Sequence, residues 1–312
     1  MSVDQRTSGS HVRAGSPAAW VVAVRPRTLL AAISPVLVGA ALGWLRTGAL
    51  DPVVSLIVLA AALLMQVASN LQNDVCYTAL GAESSGTRTG LPRATAHGWL
   101  TVRMVRHAIV WVALVSAALG LLLVMQRGWP VLAIGASSLL AALAYMGGPR
   151  PIAYTPYGEL TVFVFFGLVA VMGTDWVLTG DVGATTVVAA MTIGSLAAAA
   201  LAVNNHRDIA HDALVGRRTF AVTFGAKASL RLYTLLLLGP FALTPVMAWL
   251  AAAPTLMLPC LLLPAAWTLR QDMKHCPPGI AFNEVLFRTF KMELVFAVLL
   301  ASGAVLGRFW GP

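Results

Sequence analysis

Two short stretches contain the side chains in this sequence best suited to hold an ion. One is Asn204-Asn205-His206-Arg207-Asp208-Ile209-Ala210-His211-Asp212, and the other, far upstream, is Ser69-Asn70-Leu71-Gln72-Asn73-Asp74. Asn70 and Asp74 are four residues apart, as are Asn204 and Asp208, and again Asp208 and Asp212. On a helix each such pair shares a face. Carboxylates so arranged suit a hard divalent cation, and Mg²⁺ in particular is held by one or two protein carboxylates together with substrate phosphates. Arginine forks suit phosphate oxygens, and Arg207, Arg217, Arg218 and Lys227 lie in or just after the second stretch. His206 and His211 read as structural, because hard Mg²⁺ prefers oxygen.

Each cluster stands where an apolar run ends. The chain has 58% hydrophobic and 11% charged side chains over 312 residues, against about a quarter charged in a soluble domain. Its mean hydropathy is +0.80. Runs long enough to cross a bilayer, roughly 17–25 residues, recur along its whole length. About nine are read: 29–45, 53–69, 108–125, 130–145, 160–178, 185–203, 232–250, 255–267 and 292–306, the eighth being short and Pro-rich. Backbone polar groups in lipid must be satisfied within the segment, and no strand-like alternation is present. The expected fold is therefore all-α, a polytopic transmembrane bundle around a central cavity.

The net charge of +9 follows topology and does not indicate nucleic-acid binding. With nine spans, every Lys and Arg except Arg46, Arg127 and Arg308 falls on the face shared by the N-terminus and the even-numbered loops. The positive-inside rule makes that face cytoplasmic and puts the C-terminus outside, in a cell inner membrane. Residues 1–19 are polar, lack a signal-peptide core and read as a disordered cytoplasmic tail. Residues 20–312 read as one domain. The equal separation of the two clusters hints at an internal repeat of about 20–150 and 151–290. Three widely spaced cysteines make neither a disulfide framework nor a metal knuckle.

Any single acid at a helix end can be merely solvated. Here, however, several acids lie beside spans on a strongly basic face, where ionisable groups are functional candidates by default. Asp, Mg²⁺ and Arg beside a cavity in lipid together suggest a diphosphate on a lipid tail, with its hydrocarbon in the bundle and its head at the cytoplasmic mouth. Arg25 and Arg27 lead the first span and suit a topology anchor or, as the resemblance described next implies, the carboxylate of an acceptor.

The sequence resembles the UbiA-type intramembrane prenyltransferases, and within them the 1,4-dihydroxy-2-naphthoate polyprenyltransferase branch. The resemblance rests on "RPRTLLAAISPVLVGAALGW", "SNLQND", "GTRTGLPRATAHGWLT", "YMGGPRPIAYTPYGEL", "VFFGLVAVMGT" and "NNHRDIAHDALVGRRTFAVTFG". It implies Mg²⁺-dependent transfer of a polyprenyl group from prenyl diphosphate to an aromatic acceptor, with loss of CO₂, in menaquinone-type quinone synthesis. Carried over by position, Asn70, Asn73 and Asp74 form the first cluster and Asn204, Asp208 and Asp212 the second. Asp74, Asp208 and Asp212 are the implied catalytic acids and, with Glu83, the implied metal ligands. Arg207, Arg217, Arg218 and Lys227 are implied at the diphosphate. Tyr145 and Arg150 match a short Tyr-plus-basic motif, and Glu159 matches another family position.

The first motif departs from the family pattern, which writes Asn-Asp-x-x-Asp. Tyr77 stands at the second aspartate, and a tyrosine, with a reference pKa of about 10, is no Mg²⁺ ligand at neutral pH. Three readings stay open: Asp74 and Glu83 hold a metal with more water, the first site is weak, or the role has changed. Another acceptor, a terpene cyclase, and a non-catalytic protein or transporter for anionic lipids are the alternatives.

Overall fold

The structure, a computed structural model, describes residues 12–81, 90–277 and 279–310, and every regular element among them is helical. α1 (Pro17–Val24) is capped by Ser16, whose side chain accepts from the Ala19 amide. The chain then bends at Arg25, which sits in the left-handed region (φ 57°, ψ 68°), and passes through the 3₁₀ turn Pro26–Leu29 into α2 (Leu30–Thr47). α3 (Pro52–Ala79) starts at Asp51, whose carboxylate accepts from the Val53 and Val54 amides. α4 (Val102–Arg127) and α5 (Trp129–Ala144) follow. α6 (Gly158–Val162) runs through a π-helical turn, Phe163–Val169, into α7 (Ala170–Thr179). α8 (Ala184–Arg207) and the short α9 (Ile209–Leu214) precede α10 (Phe220–Leu250), which is broken at Gly225. A 3₁₀ stretch, Pro254–Leu262, leads into α11 (Leu263–His275), and α12 (Phe282–Trp310) closes the described chain.

Among the described residues, seven helical segments are long and apolar enough to cross a membrane, and α5 is a shorter apolar helix. The remaining expected span, 255–267, is not a regular α-helix: 3₁₀ geometry covers its first part before α11 begins. Pro259 lies inside that part. A proline donates no backbone hydrogen bond and crowds the preceding turn, so regular α-geometry breaks there. The expected tail also ends earlier than residue 19. α1 begins at Pro17, and Ala19 is fully buried; residues 1–11 lie outside the described set.

α8 is the central post. Its run of small residues, Ala189–Ala190 and Ala197–Ala200 among them, is buried against α10, α12, α2 and the π-helical turn. Small side chains let backbones approach closely, which is how helices associate in lipid. At Gly167 and Gly194 that approach is complete. A Cβ added to Gly194 would lie 2.5 Å from the Phe163 carbonyl oxygen, and one on Gly167 would lie 2.6 Å from the Gly194 Cα.

At one end of the bundle Asp175 ties α2 and α8 to α7. It pairs with Arg46 at 3.0 Å and accepts from the Thr186 hydroxyl at 2.7 Å and the Gly183 amide at 3.1 Å. The opposite end carries the two polar clusters.

Candidate active site

Between α2, α3, α5, α8, α12 and the π-helical segment lies a cavity of about 270 Å³. Its polar wall is made by Arg25, Asn70, Asn73, Tyr145, Asn204 and Arg207. Its apolar wall includes Met65, Phe165, Phe166, Leu286 and Phe290, with many alanines between. The two clusters, far apart in sequence, therefore meet across one space.

Asn70 is fully used. Its amide nitrogen donates to the Val24 carbonyl at 2.7 Å and to the Thr28 hydroxyl at 2.9 Å, and its oxygen accepts from Gln66 at 3.1 Å. Thr28 in turn donates to the Arg25 carbonyl at 2.9 Å. Asn70 thus clamps the left-handed bend that brings Arg25 to the cavity. Arg27, by contrast, lies over the Phe287 ring, 4.4 Å from its centroid.

The second cluster is built around Arg207. Its guanidinium grips Asp208 with Nε at 2.8 Å from Oδ1 and Nη2 at 2.6 Å from Oδ2. Nη2 also donates to Asn204 Oδ1 at 2.5 Å, and Nη1 donates to Asn283 Oδ1 at 2.6 Å. The pair is nearly closed to solvent, with side-chain exposures of 1% and 7%. Bidentate charge-assisted bonds of this kind fix a guanidinium plane. One turn on, Asp212 is fully buried and takes Arg217 Nη1 at 2.7 Å.

Asp74 is turned away from the cavity. Its Oδ1 accepts from the Thr95 amide at 2.8 Å and the Thr95 hydroxyl at 2.6 Å, and its Oδ2 accepts from the Ala94 amide at 2.9 Å. A fully buried carboxylate with three donors is holding the loop between α3 and α4. Its neighbour Asn73 does face the cavity, with a buried Oδ1 that has no hydrogen-bond partner.

Tyr77 takes the place of the second aspartate in another way. Its hydroxyl accepts from Arg217 Nη1, the same nitrogen that holds Asp212. Its ring centroid lies 4.1 Å from the Arg93 guanidinium and 5.3 Å from that of Arg217. The ring face attracts both. Tyr77 therefore links the two clusters, a hydroxyl acceptor where the family pattern has an acid. Tyr154 completes this side, 5.7 Å from Arg217. Burial pushes its hydroxyl above its usual value, opposed by the nearby Arg217 charge, so it is a neutral phenol.

The remaining expected site residues are dispersed. Arg150 is exposed, and so is Arg218, whose backbone amide donates to the Tyr154 carbonyl at 3.1 Å. Lys227 lines a separate cleft on α10 and α11. Glu83 lies outside the described residues. Glu159 is buried, with one oxygen accepting from Asn205 at 2.9 Å and the other without a partner. Of the three phenylalanines of the fifth span, Phe165 and Phe166 line the cavity, while Phe163 packs its backbone against Gly194. His206 packs against the Phe282 ring at 5.5 Å. Asn283 and Thr95 are the functional residues that the sequence does not single out. Neither belongs to a local pattern with its partner, since Arg207 and Asp74 reach them across distant parts of the chain.

Among the described residues no group of three His, Cys, Asp or Glu side chains forms a ready-made metal cage. What the cavity offers is the orphaned Asn73 oxygen and, at its edge, carboxylates held by arginine.

Comparison with known proteins agrees with this architecture. The UbiA prenyltransferase family model matches residues 32–276. The 1,4-dihydroxy-2-naphthoate octaprenyltransferase of Escherichia coli is 31% identical over 308 residues, covering 93% of this chain and 96% of that protein. The protein of the same name from Mycobacterium tuberculosis is 32% identical over 292 residues, with 93% and 98% covered. A solved UbiA homologue from Archaeoglobus fulgidus, bound to DMAPP and Mg²⁺, superposes with a TM-score of 0.67 at 14% identity, over 92% of this chain and 99% of that one.

Proposed function

The chain belongs to the UbiA prenyltransferase family, and on that premise we propose that it prenylates 1,4-dihydroxy-2-naphthoate with loss of CO₂, in menaquinone-type quinone synthesis. It is a multi-pass membrane prenyltransferase. The observation that carries the finer reading is the cavity's polarity: amides and two arginines at one end, Phe165, Phe166 and Phe290 at the other. That division suits a molecule with a diphosphate head and a hydrocarbon tail. Relatives named for this acceptor, at 31–32% identity across nearly the whole chain, support the choice of acceptor. The basic face of the bundle is the cytoplasmic one in this reading, in a cell inner membrane with the C-terminus outside.

In the reaction, the allylic C–O bond of the prenyl diphosphate breaks and its electron pair leaves with the diphosphate. The ring carbon bearing the carboxylate attacks the allylic carbon. The C–CO₂ bond then breaks, its electrons restore the aromatic ring, and CO₂ departs. Arg207, its plane fixed by Asp208, Asn204 and Asn283, meets the diphosphate oxygens as negative charge grows on them. Preorganised donors aimed at developing charge lower the barrier most. Arg25 meets the acceptor's carboxylate from the opposite rim. The phenylalanines exclude water from the allylic cation.

The residues present fit Mg²⁺ bound chiefly through the substrate. Asn73 Oδ1 is an unused hard acceptor on the wall, and Asp208 and Asp212, each already bonded to an arginine, have lone pairs left to give. Asp74, committed to the Ala94–Thr95 amides, contributes less. This supports the weak-first-site reading of Tyr77. When bound, the ion would withdraw charge from the leaving diphosphate.

The test is turnover by purified protein given 1,4-dihydroxy-2-naphthoate, a long prenyl diphosphate and Mg²⁺, with product and CO₂ measured together. Prenylated product with equimolar CO₂ is expected. Prenylation of other aromatics with none of this acceptor consumed would overturn the assignment.

A further inference from the structure

On the outer side of α10 and α11 a second, open cleft of about 490 Å³ is lined by Lys227, Leu230, Arg231, Thr234 and Leu235 from α10 and by Arg270 from α11. None of these residues lines the central cavity. The five α10 positions fall on one helical stripe. Lys227 and Arg231, one turn apart, lie near the start of α10, and Arg270 lies in the last turns of α11. All three thus sit at the end of the bundle that carries the polar clusters.

Three cations around one cleft repel one another, and an anion bound among them would relieve that repulsion. Yet none of the three forms an ion pair with a described residue. The nearby acid of α11, Asp272, is taken by Arg288 at 2.5 Å. Arg270 donates only to its neighbour Gln271, at 3.1 Å, and its buried Nε has no partner. Its guanidinium stands 5.5 Å from the Trp267 ring. Next to the cations the surface turns apolar and outward, with Leu235 67% exposed and Trp267 54% exposed.

We propose that this cleft binds the phosphate of an anionic glycerophospholipid from the surrounding leaflet. The arginine forks of Arg231 and Arg270 take the phosphate oxygens, Lys227 adds charge, and the acyl chains lie along Leu235 and Trp267. Basic pockets between transmembrane helices recognise lipid headgroups through this combination of charge and an apolar wall. A lipid there would bridge α10 and α11, which the 3₁₀ stretch Pro254–Leu262 separates along the chain.

Native mass spectrometry of the detergent-purified full chain tests this with phosphatidylglycerol, phosphatidylcholine and inorganic phosphate as separate probes. Wild type is expected to retain phosphatidylglycerol in preference to phosphatidylcholine. Arg231→Gln/Arg270→Gln should weaken that retention by roughly 30-fold, about fivefold per charge removed. Its elution volume on gel filtration should not change. Arg231→Lys/Arg270→Lys should keep most of the preference. If the double Gln variant does not fold, Arg231→Gln alone, at an exposed position, is expected to show the fivefold loss. Equal retention of the two lipids by wild type would overturn the proposal, as would a folded Gln variant, double or single, that binds phosphatidylglycerol like wild type. Binding of millimolar inorganic phosphate that displaces the lipid would reassign the cleft to a soluble anion.

Discussion

Asp74 offers the sharpest test of the geometry, because two roles for it predict opposite measurements. In the structure it is a buried cap for the Ala94–Thr95 turn and not a cavity-facing metal ligand. In Asp74→Asn the amide oxygen can keep both Thr95 donors, but the new NH₂ then faces the Ala94 N–H, donor against donor. The change removes one charge-assisted hydrogen bond, worth about 1.5–3 kcal/mol, and leaves a buried amide unpaired at about 1–3 kcal/mol. The variant should therefore lose about 3–5 kcal/mol of stability, a fall of roughly 6–15 °C in the thermal midpoint. The loss should be the same with and without Mg²⁺ and a prenyl diphosphate analogue. Thr95→Ala, which takes away one of the three donors without touching any candidate ligand, should reproduce about 1–2 kcal/mol of it. The two substitutions should be less than additive because they share a bond. A variant that melts like wild type in apo form, yet loses all stabilisation by Mg²⁺ and diphosphate, would refute the cap and restore Asp74 as a ligand.

Other consequences can be checked with the same protein. Asp208→Asn breaks the fork that orients Arg207, and kcat/KM should fall on the order of 100-fold or more with the fold intact; a loss under about fivefold would remove Arg207 orientation from the mechanism. Tyr77→Phe keeps the ring beside Arg93 and Arg217 but loses the hydroxyl, costing about 1 kcal/mol. Tyr77→Leu should cost about 1 kcal/mol more, so equal midpoints for the two would argue against the cation–ring contacts. Gly194→Ala drives a methyl into the Phe163 carbonyl and should cost about 3 kcal/mol or more, whereas Gly120→Ala, where a Cβ meets nothing within 4 Å, should be neutral or slightly stabilising. Treatment with a chelator should abolish turnover and added Mg²⁺ should restore it; undiminished turnover after chelation would exclude the divalent ion.

Much of this architecture is legible from composition alone, because lipid leaves a chain few options: apolar length sets the spans, and the basic residues mark one face. The pairing of Asn70 with Asn204 across one cavity is legible as well, since both end apolar runs on that face. What spacing could not reveal is which way a side chain turns once the helix ends. Asp74 and Asn73 are adjacent, and the acid turns to the loop amides while the amide turns to the cavity. Lys227 lies close in sequence to Arg217, but the break at Gly225 and the start of α10 carry it onto the outer surface. The partner of Arg207, Asn283, comes from the start of the last helix, 76 residues away. Tyr77 looked like a missing ligand because the pattern around it concerns metals; the structure shows a different use, as an acceptor for Arg217.

The contact of Gly167 with Gly194 has a further bearing on how such a cavity can evolve. Backbone presses on backbone there, so the wall bearing Phe165 and Phe166 has a fixed position relative to the central post and cannot retreat to admit a longer guest. The facing surface is different: Ala31, Ala32 and Ala62 present only methyl groups, and Met65 beside them is a flexible chain with several rotamers. One side of the chamber is an anvil and the other a set of adjustable stops. A new preference for hydrocarbon length is therefore expected in the small residues of α2 and α3, and in Ala141 and Ala142 of α5, by enlarging them, while the aromatic side is inherited unchanged.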